Sequence, residues 1–276
     1  METQTLLNHY AHGKRDFQEA FLIGIKLVGI NLSGANLSGA NLISADLSNA
    51  NLSQTNLRAI NLTNSSLIEA NLKGADLTDA YISEANLTRA DLSGAQLLNA
   101  YLKEANFTHA QLVEANLMGA NLSHSKLTHA NLSGANLLNT VLTGVNLTGA
   151  NLSGANLTGV ELCGVNLNAT EIDETTQLSE KWRLVQKIVT QGAVGWDLSH
   201  VDLSCASLVG VNFTGADLTG ANLARTHLSS VDLSNTKVKD ASFMACTGLS
   251  KATKLALKEQ GAIIDYDLTP AEVQVS

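Results

Sequence analysis

Seven histidines, three cysteines and a run of charged and aromatic residues between 81 and 129 are the parts of this chain that could do chemistry. His109 and His129 are twenty residues apart, and His124 stands five before His129. Imidazoles brought together in this way could hold a metal or sense pH. The cysteines, Cys163, Cys205 and Cys246, are odd in number and lack metal-like spacing, so they read as free thiols. No P-loop, GxGxxG, HExxH, paired CxxC or GxSxG occurs. The histidines therefore read as exposed turn residues, and no metal, cofactor or catalytic residue is expected.

The richer cluster comprises Tyr81, Glu84, Arg89, Tyr101, Lys103, Glu104, His109, His124 and His129. Elsewhere the corresponding positions are mostly Asn, Ser, Thr and Gly. Exposed aromatics beside charges are enriched at binding surfaces. These nine residues are the candidate protein-interaction surface. The competing reading is a solvated face that has drifted from its consensus.

What positions them is a repeat of five. Ala35-Asn36-Leu37-Ser38-Gly39 is followed by Ala40-Asn41-Leu42-Ile43-Ser44 and Ala45-Asp46-Leu47-Ser48-Asn49. A period of five fits neither a helix nor a flat strand. Ala35 and Leu37 are two apart, the same face of an extended segment, so both point inward and Asn36 outward. Ser38-Gly39 must then turn the chain, with Gly39 accepting the positive φ of a type II turn. The chain coils into a solenoid whose coils pair at about 4.8 Å. Departures that recur twenty apart, such as Tyr81/Tyr101, Glu84/Glu104, His109/His129 and Val145/Val165, hint at four sides of five, although other spacings also occur.

Unbroken tandem A(N/D)LxG units resemble the pentapeptide repeat family. The resemblance covers roughly residues 15–172 and 196–247. The ends are similar to cyanobacterial members, at Leu7-Asn8-His9-Tyr10-Ala11-His12-Gly13-Lys14-Arg15-Asp16-Phe17 and at Lys181-Trp182-Arg183-Leu184-Val185. It implies an all-β fold, a right-handed, four-sided parallel β-helix.

The organisation expected is then as follows. Residues 1–14 hold an N-terminal capping helix over 2–12, with Leu6, Leu7 and Tyr10 covering the first coil. Residues 15–172 form a first β-helix of about eight coils, and 198–247 a second of about 2.5 coils, restarting at Leu198. Stacked end to end, the coils would make a rod of roughly 50 Å. Between the blocks, 173–197 read as a helical interruption. Its helix spans Thr176 to Gln191, N-capped by Ser179, with Trp182, Val185, Ile188 and Val189 as candidate inter-block contacts. The insert either bulges from one continuous solenoid or joins two, and two blocks are favoured. Residues 248–276 form a C-terminal cap. Its helix starts from Ser250 and ends at Gly261, Ala262-Ile263-Ile264 returns over the last coil, and the tail after Asp267 is disordered.

Composition bounds the function. No apolar signal segment opens the chain, and Phe21–Ile30 is too short to span a bilayer. The reading is a cytoplasmic, non-catalytic repeat scaffold with an unidentified protein partner, no direct nucleic acid and no membrane. A weak homodimer through a solenoid end is the other contact considered. Cyanobacterial relatives implicated in regulating cell differentiation imply a regulatory role. The alternatives are a DNA mimic that inhibits or protects a type II topoisomerase such as gyrase, as the resemblance implies for some members, and a purely structural spacer. A 50 Å stretch of duplex carries about 30 negative charges. This chain has 25 acids against 17 bases, and Glu69, Glu84, Glu104, Glu114 and Glu161 make no continuous row.

Overall fold

Five N–H groups explain the shape of the consensus repeat. In the unit Asn36–Ala40, the Asn36 N–H donates to the Arg15 carbonyl in the coil before (2.8 Å). The Leu37 and Gly39 N–H groups donate to the Asn56 and Arg58 carbonyls in the coil after (both 2.8 Å). The Ala40 N–H closes the turn on Leu37 (3.0 Å). The remaining donor, Ser38 N–H, is taken by the Asn36 side chain at 3.2 Å. No backbone donor is left over, as a buried wall requires. The Asn or Asp of the consensus is therefore a turn-closing residue. It faces outward as expected, but half-buried and bonded.

The computed structural model describes residues 3–265. From Asp16↔Asn36 to Asn151↔Glu171, the parallel bridges join residues twenty apart, so one coil has four sides of five. Pairing narrows to one bridged residue per side. Each turn holds positive φ at its second central residue, every fifth position from Glu19 (53°) to Ala169 (54°). Positive φ there alone is the type II sign pattern. Gly39 (66°) fits this freely, yet Ser44 (56°) and Asn49 (59°) adopt it too. Inside, the leucine and alanine rows are buried from Leu32 to Leu167. Each leucine contributes roughly 1.5–3 kcal/mol by transfer from water.

The chain divides into two compact units, Met1–Trp182 and Arg183–Ser276. In the first, α1 (Thr3–Ala11) buries Leu6 completely. Thr3 and Tyr10 hydroxyls donate to the Lys26 and Ser33 carbonyls of the first coil (3.2 and 2.8 Å). The expected helix began one residue earlier, at Glu2, which lies outside the described residues. At the other end the expected helix from Thr176 starts later, as α2 (Glu180–Gln191). Asp173 accepts the Thr175 and Thr176 N–H groups (3.0 and 2.9 Å), and Gln177 bridges Asn156, so the coil continues to Gln177. Ser179 stands immediately before α2. The unit division falls inside α2, after Trp182.

In the second unit the repeat register resumes at Ala193, one repeat before Leu198. The Ala193 N–H donates to the Asn212 carbonyl at 2.9 Å. Bridges twenty apart run from Asp197↔Asp217 to His227↔Thr247. Then α3 (Lys251–Glu259) leaves the ladder. Ser250 accepts the Thr253 N–H at 3.0 Å, and Gly261 follows α3 in the left-handed region (φ 90°). Ile263 returns to bridge Ser242. The tail expected to be disordered lies outside the described residues.

Candidate functional site

The nine residues singled out between 81 and 129 all belong to the first unit, and the twenty-residue coil sorts them into columns. Tyr81 and Tyr101 occupy the Asn position of one side, which we term the tyrosine face (residues 21–25, 41–45 and onward to 161–165). Their rings stack at 4.9 Å with planes 2° apart, each about half exposed. At the corner ending that face stand Glu84, Glu104 and His124, one above another. Lys103 pairs with Glu104 in its own turn at 3.2 Å.

One corner further round run Arg89, His109 and His129. Arg89 forms an ion pair with Glu69 of the coil before at 3.5 Å, a partner the sequence had not suggested. His109 and His129 stack at 5.1 Å with planes 11° apart. Nearly parallel rings in separate layers hold their nitrogens in separate planes, so the lone pairs do not converge as two ligands of one metal would. Among the described residues no three metal-ligating side chains come together.

Six of the nine, Glu84, Arg89, Glu104, His109, His124 and His129, are second central turn residues with φ between 56° and 62°. All six thus stand at the turn position that the coil holds at positive φ. His124 uses a further device. A Cβ on Gly144, one coil on, would fall 2.6 Å from its Nδ1, so the glycine leaves the imidazole its space.

The tyrosines carry a cost the sequence concealed. On this face Asn41, Asn61 and Asn121 accept the N–H two residues on, from Ile43, Thr63 and Ser123 (3.2, 3.1 and 3.0 Å). Tyrosine cannot make that bond. Such a side-chain-to-backbone bond contributes about 0.5–1.5 kcal/mol. Tyr81 and Tyr101 thus replace a residue the fold uses with a half-exposed ring.

The sequence reading also missed Leu98, Met118 and Leu138. They are half-buried at the first turn position, twenty apart, at the corner that leads into the tyrosine face. Their signal was the same period of twenty, at a site where Ser and Thr prevail.

Of the candidate residues in α2, Trp182, Val185 and Ile188 are buried and Val189 is half-buried. Trp182 belongs to the first unit and the other three to the second. The Lys181 ammonium lies 5.0 Å over the Trp182 ring. Among the described residues no disulfide joins the three cysteines. Burial pushes the Cys246 thiol up, and it donates to the Leu223 carbonyl at 2.9 Å. No described helix is long and apolar enough to cross a membrane.

A family model of pentapeptide repeats matches in eight copies, over residues 16–54, 45–83, 55–94, 80–119, 115–154, 130–168, 197–235 and 206–244. Among solved structures the chain is similar to HetL, a pentapeptide repeat protein involved in heterocyst differentiation regulation from the cyanobacterium Nostoc sp. strain PCC 7120. Identity is 34%, over 90% of this chain and 99% of that one, with a TM-score of 0.41. It is similar to the pentapeptide repeat protein Rfr23 from the cyanobacterium Cyanothece 51142, at 26% identity over 64% and 100% of the two chains (TM-score 0.24). It is also similar to QnrB1, a plasmid-mediated fluoroquinolone resistance protein, at 20% identity over 58% and 87% (TM-score 0.40). No curated protein matches.

Proposed function

We propose a function from one premise: the chain belongs to the pentapeptide repeat family. The function is that of a non-catalytic scaffold whose first unit holds a protein partner and exerts a regulatory effect through it. It acts in the cytoplasm, where the thiols of Cys163, Cys205 and Cys246, which form no disulfide, are kept reduced. The interaction surface is the wall of Tyr81, Glu84, Arg89, Tyr101, Lys103, Glu104, His109, His124 and His129.

One observation carries this reading. Tyr81 and Tyr101 form an exposed stack in positions where the repeat otherwise places its turn-closing asparagine. Rigid aromatic rings supply contact area at low entropic cost, as interface anchors do. The side chains of the wall stand on one side and at two successive corners, so they present a grid and do not converge on a reacting atom.

DNA mimicry fits less well. Asp76, Asp91 and Glu69 are neutralised by Arg58, Lys73 and Arg89 at 3.2, 3.0 and 3.5 Å. A mimic needs those charges unopposed. Weak self-association through the α3 end would rest on Leu255, the large apolar residue that α3 exposes.

The test is affinity capture from native lysate with two baits, wild type and a variant carrying Arg89→Ala, Tyr101→Ala and His109→Ala. A partner held by wild type and lost by the variant supports the wall. Equal capture by both baits would remove it from the wall, and an empty wild-type bait would favour a spacer.

A further inference from the structure

The Asn position of the tyrosine face is occupied, coil by coil, by Phe21, Asn41, Asn61, Tyr81, Tyr101, Asn121, Val141 and Glu161. Five of these eight have lost the turn-closing amide, and four of the five are apolar or aromatic. Each loss forgoes a bond of about 0.5–1.5 kcal/mol. The exposures are 74% for Phe21, 46% for Tyr81, 49% for Tyr101 and 44% for Val141. Ile23, on the same face, is 60% exposed. Apart from Val28, these are the large apolar side chains that the described residues of the first unit expose. The apolar surface of the unit is therefore gathered on one side.

The face is not flat. Between Phe21 and Tyr81 lies a shallow groove of about 490 Å³, floored by Gly39, Asn41, Ala59 and Asn61, with Glu19 at its edge. Its net charge is negative, because five carboxylates outnumber Lys103 on the face and Arg58 at the corner leading into it. Glu84, Glu104 and Glu161 lie on the face, with Glu19 and Asp79 at the corner leading into it. Lys103 is the base on the face, and Glu104 already holds it; Asp79 has Arg58 at 3.8 Å.

An apolar column flanked by carboxylates is complementary to an apolar stripe flanked by Lys or Arg. The spacing selects the form of that stripe. Coils rise by about 4.8 Å, and a helix rises by about 5.4 Å per turn. The continuous apolar stripe of a helix laid along the coil axis and running for about five turns therefore passes over Phe21, Tyr81, Tyr101 and Val141 in succession. Phe21 to Val141 is six coils, about 29 Å, or about five helical turns.

We infer that the tyrosine face of the first unit binds a basic amphipathic helix laid along the coil axis, its apolar stripe on Phe21, Tyr81, Tyr101 and Val141. The inference rests on the scaffold reading above and names the chemistry of its partner.

The experiment uses the full chain and three labelled synthetic peptides of about 18 residues. One has Leu at helical i, i+3, i+4, i+7 spacing with Lys flanking. The second replaces Lys by Glu, and the third scrambles the first so that the period is lost. Fluorescence anisotropy should show the Leu/Lys helix binding at least about tenfold tighter than either control. Phe21→Asn/Tyr101→Asn restores the repeat residue and so keeps the fold, which a thermal melt verifies; it should weaken binding by about tenfold or more. Gln111→Asn, on another side, should leave binding unchanged. Absence of binding, equal binding of the Glu or scrambled peptide, or indifference to the tyrosine-face variant would each overturn the inference. Loss of a captured protein partner from the Tyr101→Ala bait, alongside absent peptide binding, would retain the scaffold and reject the helix.

Discussion

The imidazole of His129 occupies the space that a Cβ on Gly149, one coil further on, would need. His200 stands in the same relation to Gly220 in the second unit. A long side chain at a corner and a glycine twenty residues later are thus one packing unit. Gly149→Ala should destabilise the first unit by about 1–3 kcal/mol, since the ring must move and φ is positive. In a His129→Ala background the same change should cost less. A double-mutant cycle by denaturant unfolding reads the coupling, and additive effects would show that the two residues do not interact.

The tyrosine stack should matter little to the fold. Tyr81→Asn/Tyr101→Asn loses an aromatic contact of about 0.5–1.5 kcal/mol and regains two turn bonds of similar size. Stability should stay within about 1 kcal/mol of wild type while partner capture is lost. A large fall in melting temperature would make the rings structural.

Ser125 buries its hydroxyl without a hydrogen-bond partner. Its counterparts Ser65 and Thr170 donate to the carbonyl three residues back (2.6 and 2.8 Å). An unsatisfied buried hydroxyl costs about 1–3 kcal/mol. Ser125→Ala should therefore raise the denaturant midpoint, whereas Ser65→Ala should be neutral or lower it. A destabilised Ser125→Ala would reveal a bond for that hydroxyl.

Acid should loosen the turns held by carboxylates. The Thr175 hydroxyl, ahead of the Gly154 N–H, holds Asp173 down to about 2 from 3.8. The Thr219 hydroxyl, ahead of Lys237, does the same for Asp217. Their folded pKa lies below the unfolded one, so the stabilisation is present above 3.8 and is lost as pH falls toward about 2. Asp217→Asn keeps an acceptor for the Thr219 N–H but abolishes the Lys237 contact. Its unfolding midpoint should fall less steeply than that of wild type across this window. Identical acid profiles would exclude a contribution from Asp217.

The repeat made most of the architecture legible before any coordinate. A leucine and a small residue two apart can share one face only in an extended segment, and Gly39 could only mark a corner. The α3 start at Ser250 was legible because an N-cap is a local hydrogen bond. The α2 start was misplaced because Asp173 and Gln177 extend the coil through bonds to residues in the preceding coil. The left-handed φ of Glu84, Arg89 and the histidines was hidden, since no local propensity favours Glu or Arg there. It is imposed by the ladder above and below.

The period of five by itself determined that the chain must turn every five residues and bury Leu and Ala. It could not establish which residues meet, because a five-residue unit alone does not fix the number of sides. Only the tertiary structure decided that twenty residues close one coil. That closure places Phe21, Tyr81, Tyr101 and Val141, spread over more than a hundred residues, in a single column. It also shows that the asparagine they replaced was holding a turn. The physical reason is register: each column is defined by hydrogen bonds from one coil to the next, and such contacts leave no mark within any one repeat.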